Sequence, residues 1–213
     1  MATGITRIGM RPWAKALVLL WLAQLAQGEP SAACKTMPAL AKDDSNSARC
    51  CEIPEMFSNE TLNQCMEEVD RSSKPQVEKS CEFANCVLKK QKHIKSDGSF
   101  DVDQIRSYIK DTVKASAEWK TLIEKVVLDE CIPMAEKDSP GIAKQLKTAM
   151  GECNPVPALA FACSAAKFYA KCPSKDWTGS KPCDEWKKYL SECSHSVEDL
   201  NEMYVQIESQ KLA

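Results

Sequence analysis

The sequence predicts an all-α protein held together by disulfide bonds, and three observations lead to this fold class. Only seven of the 213 residues are glycine. Apolar residues recur at intervals of three and four, which is the period of helices that bury one face. Cysteine occurs twelve times, an even and unusually high number. No segment alternates apolar and polar residues as a half-buried strand would.

The amino-acid composition limits the classes of function that this protein can have. A hydrophobic share of 44% with 27% charged residues is typical of a chain that buries its own core. The formal net charge is −2, so no basic excess is available to hold a nucleic-acid backbone. A nucleic-acid partner is therefore not expected.

The first 28 residues have the pattern of a secretory signal peptide. Arg7, Arg11 and Lys15 form a positive segment, and an apolar run from Ala16 to Ala26 follows it. Ala26 and Gly28 place small residues at a cleavage site after Gly28. The run is too short for a membrane anchor, which needs roughly 20 apolar residues. We expect an extracellular mature chain that begins at Glu29.

The mature chain is predicted to have three parts. An irregular, cysteine-bearing arm covers residues 29–57, a helical domain covers 58–193, and an amphipathic helix or tail covers 194–213. The segment from Val156 to Ala170 is apolar nearly all round, which indicates a helix buried at the centre. Local signals set the other helix ends: we expect starts at Ser58, Pro75, Asp101, Ser116 and Ser139-Pro140, and a stop at Pro133.

In an oxidising compartment, twelve cysteines predict six disulfides and no free thiol. The chain has no CxxC pair or zinc-finger spacing, so no metal site is expected. Cys50 and Cys51 are adjacent, and because a bond between neighbours is strained, we expect them to bond to two separate partners.

Signatures of catalysis are missing. The chain has no GxSxG, HExxH or P-loop motif, and we expect no catalytic residues and no cofactor. His93 follows a run of lysines and is predicted to lie at a solvated helix end. The segment around Asp97 and Gly98 is predicted to be a turn, not a calcium loop. Asn59 begins a sequon for N-glycosylation.

The cysteine spacing carries the most specific pattern. From Cys153 the chain reads C-x9-C-x8-C-P-x9-C, ending at Cys183, and Cys65, Cys81, Cys86 and Cys131 stand upstream. This spacing resembles the Plus-C subclass of insect odorant-binding proteins, particularly those of mosquitoes. The resemblance spans Cys65 to Cys183.

That resemblance implies a bundle of about six to eight helices around an apolar cavity, as in pheromone-binding and general odorant-binding proteins. It also implies three interlocked bonds, which become Cys65–Cys86, Cys81–Cys163 and Cys131–Cys172 here. Four residues separate Cys81 from Cys86 where the family has three, so either a helix bulge or divergent bonds must accommodate them. The remaining six cysteines have 15 possible pairings and stay unassigned: Cys34, Cys50, Cys51, Cys153, Cys183 and Cys193.

By the same resemblance, the function expected is that of a secreted carrier for small apolar molecules such as odorants, in sensillar lymph if the protein is olfactory. Its partners would be the ligand and an olfactory receptor or another odorant-binding protein. The candidate lining residues are Val87, Ile105, Ile109, Val113, Leu122, Val126, Leu146, Met150, Leu159 and Phe168. They offer no counter-ion, so a charged ligand is expected to bind less well.

Two alternatives remain open at this point. A secreted interaction or inhibitor protein would use the arm from Glu29 to Phe57, or the C-terminal tail, as its binding surface and would have no affinity for apolar probes. A degenerate lipid-acting hydrolase would need a nucleophile or a His-Asp pair that no motif reveals.

Overall fold

A computed structural model of the protein describes residues 30–38, 50–137 and 151–211. The fold class is all-α, as predicted: within these ranges β pairing is limited to two isolated bridges. The numbered α-helices are α1 (Asn59–Asp70), α2 (Gln76–Lys90), α3 (Val102–Asp111), α4 (Ala117–Glu124), α5 (Pro155–Ala170), α6 (Lys181–Glu192) and α7 (Val197–Lys211). Short 3-10 helices cover Ala32–Lys35 and Ser174–Asp176. The predicted signal peptide and the predicted helix from Ser139-Pro140 lie outside the described residues.

Three predicted helix starts are confirmed by their capping hydrogen bonds. Ser58 Oγ accepts the Thr61 N–H, the Asp101 carboxylate accepts the Gln104 N–H, and Ser116 Oγ accepts the Trp119 N–H. Each bond satisfies a backbone donor that has no partner inside its own helix. These local interactions fix where α1, α3 and α4 begin.

The prediction that Pro133 ends its helix is wrong. After Glu124, α4 continues as a π-helical segment, Lys125–Cys131, and then as an α-helix over 132–137. A proline inside a regular α-helix clashes with the carbonyl four residues earlier and leaves it without a donor. The wider π-helical turns directly before Pro133 relax that geometry, so the helix passes through the proline.

Helix α5 lies at the centre of the bundle, as its all-round apolar sequence predicts. It packs against α2, the π-helical segment, α6 and α7. Leu159, Ala160, Cys163, Ala166 and Phe168 are among its buried side chains. Burying the side chains of such a helix supplies much of the hydrophobic stabilisation, and it requires neighbours on several sides.

All twelve cysteines are paired, which confirms the prediction of six disulfides without a free thiol. The bonds are Cys34–Cys193, Cys50–Cys183, Cys51–Cys172, Cys65–Cys86, Cys81–Cys153 and Cys131–Cys163. Cys50 and Cys51 bond to separate partners, as expected. Because α2 is a regular α-helix, its two cysteines simply leave it in different directions, Cys86 towards α1 and Cys81 towards the start of α5.

Two of the three pairings implied by the family resemblance need correction. The structure contains Cys65–Cys86, but it replaces Cys81–Cys163 and Cys131–Cys172 with Cys81–Cys153 and Cys131–Cys163. The three core bonds still interlock in the same order if Cys153 and Cys163 take the places that the resemblance gave to Cys163 and Cys172.

The shift follows from where helix α5 begins and ends. Cys153 directly precedes the N-cap residue Asn154 and lies against α2, whereas Cys163 faces the π-helical segment from mid-helix. Cys172 lies beyond the end of α5 and bonds to Cys51 of the N-terminal arm. Three successive cysteines therefore tie the start, the middle and the exit of α5 to three different elements.

This arrangement predicts the result of peptide mapping under non-reducing conditions. Trypsin leaves Cys153 and Cys163 in one peptide because no lysine or arginine separates them, so chymotryptic cleavage after Phe161 is needed as well. We expect linked fragments that join Cys81 to Cys153 and Cys131 to Cys163. A fragment that links Cys81 to Cys163 would contradict the structure.

Candidate ligand-binding groove

An open-sided cavity of about 490 Å³ lies between α1, α2, α5 and α7. We refer to it as the groove. Its apolar lining residues are Met66, Val69, Val77, Cys81, Phe83, Ala84, Ala158, Leu159, Phe161, Ala162, Leu200 and Val205. Met66 and Val205 remain 48% and 50% exposed, so the groove opens to solvent between α1 and α7. Its volume is in the range of small-molecule binding sites.

The groove exists because α5 is apolar on more sides than its neighbours cover. Leu159 is buried, whereas Phe161 is half-buried and Ala162 is exposed. Small side chains at Ala158 and Ala162 leave space that the facing helices do not fill. The sequence carries a signal for such a groove. A helix that is apolar all round, with alanines on one side, must face either another element or a gap on that side.

Among the predicted lining residues that the structure describes, only Leu159 borders the groove. Six others lie in the packed core: Val87, Ile105, Ile109, Val113, Val126 and Phe168. Leu122 is partly buried against that core, and Leu146 and Met150 lie outside the described residues. Phe168, for example, packs edge-on against Trp119 with ring centroids 6.3 Å apart. Apolar periodicity identified inward faces but did not show which inward face meets a gap.

Polar side chains also border the groove, and the sequence reasoning missed them. They are Asp70, Gln76, Lys79, Ser80, Asn201 and Tyr204. The four from α1 and α2 flank the turn that joins these two helices. The lining residues named from the sequence offer no counter-ion, but among the described residues an acidic side chain, Asp70, and a basic one, Lys79, also border the groove.

The N-terminal arm holds α7, the fourth wall, in place. Asp199 accepts the Ser31 N–H at 2.8 Å, and the Gln206 side chain both accepts the Met37 N–H and donates to the Cys34 carbonyl. The Cys34–Cys193 bond ties the arm covalently to the segment before α7. These contacts lie on the side of α7 away from the groove, so the arm supports this wall from behind.

The prediction that His93 lies at a solvated helix end is wrong. Lys92 adopts a left-handed conformation with φ of +58°, which turns the chain inward after α2. The His93 N–H donates to the Leu88 carbonyl and the Lys92 N–H to the Lys89 carbonyl, which together form a Schellman motif. His93 is consequently only 4% exposed.

His93 lies in an aromatic environment that extends to the groove. Its ring packs edge-on against Tyr108 at a centroid distance of 4.8 Å, and Phe57 lies at 6.2 Å. Phe57 in turn stacks on Phe161 of the groove wall at 5.9 Å. His93 Nε2 has no hydrogen-bond partner among the described residues. Burial lowers the pKa of His93 to about 4, against the opposing charge of Asp101.

The remaining sequence motifs have local roles. Asp97 accepts hydrogen bonds from the backbone and hydroxyl of Ser99, so the predicted turn is confirmed. Asn59 is exposed at the first position of α1, and its glycosylation stays a prediction. His195 is exposed, with Nε2 2.6 Å from the Ser191 carbonyl oxygen. In the described ranges no three acidic, histidine or cysteine residues are grouped so that they could hold a metal ion.

The buried histidine predicts a loss of stability in acid. In the unfolded chain His93 titrates near its ordinary pKa of about 6.5, but in the folded protein its pKa is about 4. The unfolded state therefore binds the proton more readily. As the pH is lowered from the unfolded-state pKa to the folded-state pKa, the free energy of unfolding should decrease, by about 3 kcal/mol at most.

Urea denaturation at about pH 7 and about pH 4.5 measures this loss. The His93→Phe variant should lose less stability between the two conditions than the wild type, whereas His195→Gln should match the wild type. Equal losses in the wild type and in His93→Phe would contradict the assignment.

Comparison with known proteins places the chain in a family. The family model described as AgamOBP47-like matches residues 44–189. General odorant-binding protein 68 of Anopheles gambiae is 58% identical over 212 residues, which cover 99% of each chain. The resemblance inferred from the cysteine spacing is thereby confirmed. The chain belongs to the AgamOBP47-like family of insect odorant-binding proteins.

Proposed function

We propose that this protein is a secreted carrier that binds small hydrophobic molecules in the groove between α1, α2, α5 and α7. The observation that carries the proposal is an apolar cavity of about 490 Å³, large enough for such a molecule and open to solvent on one side. Binding would be driven by the transfer of apolar ligand surface out of water, without any chemical step.

The disulfides favour binding because they hold the walls of the groove in place before the ligand arrives. Cys65–Cys86 joins α1 to α2, and Cys81–Cys153 joins α2 to the start of α5. Cys34–Cys193 fixes the arm that supports α7. A site whose walls are already in position loses less conformational entropy when it binds a ligand.

Family membership and the complete pairing of cysteines support a location outside the cell, since disulfides persist in oxidising compartments. No described helix is both long and apolar enough to cross a membrane. We propose that the ligands are odorants or other semiochemicals, and that in sensillar lymph the carrier would meet an olfactory receptor or another odorant-binding protein. The name of the relative, a general odorant-binding protein, supports this role.

The wall of α5 offers a matched pair of variants that tests the proposal. Ala162 and Ala165 are both exposed alanines on this helix, but only Ala162 borders the groove. Ala162→Trp should fill part of the groove and weaken the binding of a hydrophobic fluorescent probe at least tenfold, since it removes space for the ligand. Ala165→Trp should leave probe affinity unchanged.

The wild type should release the probe when uncharged volatiles of roughly 10 to 20 heavy atoms are added at micromolar concentrations, as expected from typical ligand efficiencies. Circular dichroism of both variants controls for folding. If no volatile displaces the probe, or if Ala165→Trp and Ala162→Trp weaken binding equally, the carrier proposal fails.

A further inference from the structure

Lys79 is a basic side chain in an otherwise largely apolar groove, and it has no ion-pair partner among the described residues. It is half-buried in the second turn of α2, and Phe83 of the groove wall lies one helical turn further on. No carboxylate of the described residues lies within ion-pair distance of its ammonium group. A lysine that has lost part of its hydration without gaining a partner favours a ligand that supplies a negative charge.

The acidic side chains nearest in sequence are occupied. Lys74 forms ion pairs with both Glu78 and Glu82, the first at 2.8 Å, so these two carboxylates already share a cation. Both carboxylates lie on α2 near Lys79, but their ion-pair partner is Lys74, which is exposed and precedes the helix. Their pairing leaves the charge of Lys79 available to the groove.

Among the described residues, Asp70 is the other charged side chain that borders the groove, and it is placed differently. It lies at the last position of α1 and is exposed, whereas Lys79 is half-buried. Coulombic attraction weakens as the effective dielectric rises, so the charge in the less hydrated position has the stronger effect on a bound ligand. Lys79 therefore outweighs Asp70.

The walls that α1 and α2 contribute to the groove are also asymmetric along their length. Asp70, Gln76, Lys79 and Ser80 flank the turn between α1 and α2, whereas Met66 and Phe83 lie one turn further from it, towards the Cys65–Cys86 bond. A ligand that matches this gradient has one polar end and an apolar body.

From this arrangement we propose that the groove selects aliphatic carboxylates, with the carboxylate at Lys79 and the hydrocarbon chain along Phe83, Leu159 and Phe161. The inference rests on the proposed carrier function and adds a ligand class to it. It reverses the expectation, drawn from the sequence, that a negative charge weakens binding.

Three ligands of equal chain length test the charge preference: dodecanoic acid, dodecanol and dodecylamine, each displacing the same fluorescent probe from the full mature protein at neutral pH. The acid should bind about fivefold more tightly than the alcohol, and the amine should bind least tightly. The advantage of the acid should shrink at high salt, because the ion pair is only half-buried.

Variants assign that preference to Lys79. Lys79→Gln should remove the advantage of the acid over dodecanol, and Lys79→Arg should keep it. Lys89→Gln is the matched control, since Lys89 is an exposed lysine of the same helix that does not border the groove. Asp70→Asn should strengthen acid binding slightly by removing a repulsive charge.

The outcomes separate the two proposals. If the alcohol binds as tightly as the acid, if the amine binds best, or if Lys79→Gln retains the advantage of the acid, the carboxylate inference fails while the carrier function stands. If none of the three ligands displaces the probe from the wild type, the carrier function fails too.

Discussion

The fold depends on the need to bury α5, a helix that is apolar on nearly every side. A helix with a single apolar stripe is satisfied by one neighbouring layer, but this one needs neighbours all around it. Helices α2, α6, α7 and the π-helical segment supply them. Where the coverage is incomplete, beside Ala158 and Ala162, the groove remains. The same constraint thus creates both the core and the candidate binding site.

The disulfides reinforce this arrangement more than they create it. Cys153, Cys163 and Cys172 anchor the start, the middle and the exit of α5 to α2, the π-helical segment and the N-terminal arm. Cross-links of this kind stabilise mainly by restricting the unfolded chain. Here they also fix the relative positions of the groove walls. The N-terminal arm also supports α7 without its disulfides, because its backbone groups form hydrogen bonds with the side chains of Asp199 and Gln206.

Aromatic contacts connect the groove to the core. Phe161 stacks on Phe57, and Phe57 lies beside His93, whose Nε2 has no partner among the described residues. Burial in such surroundings favours the neutral form of the imidazole over the charged form. The inward turn at Lys92 places the ring there, although a left-handed conformation is unfavourable for lysine. The Schellman hydrogen bonds and the packing of His93 offset that strain.

The sequence by itself determined the features that depend on neighbours along the chain. The helix starts at Ser58, Asp101 and Ser116 follow from side chains that cap backbone groups three residues away, and the central position of α5 follows from its composition. Complete pairing of the cysteines followed from their number. Only the tertiary structure decided that Cys163 meets Cys131, that His93 turns inward, and that Leu159 borders a gap while Val87 does not. Those outcomes depend on the angles and distances at which helices pack, which no local pattern encodes.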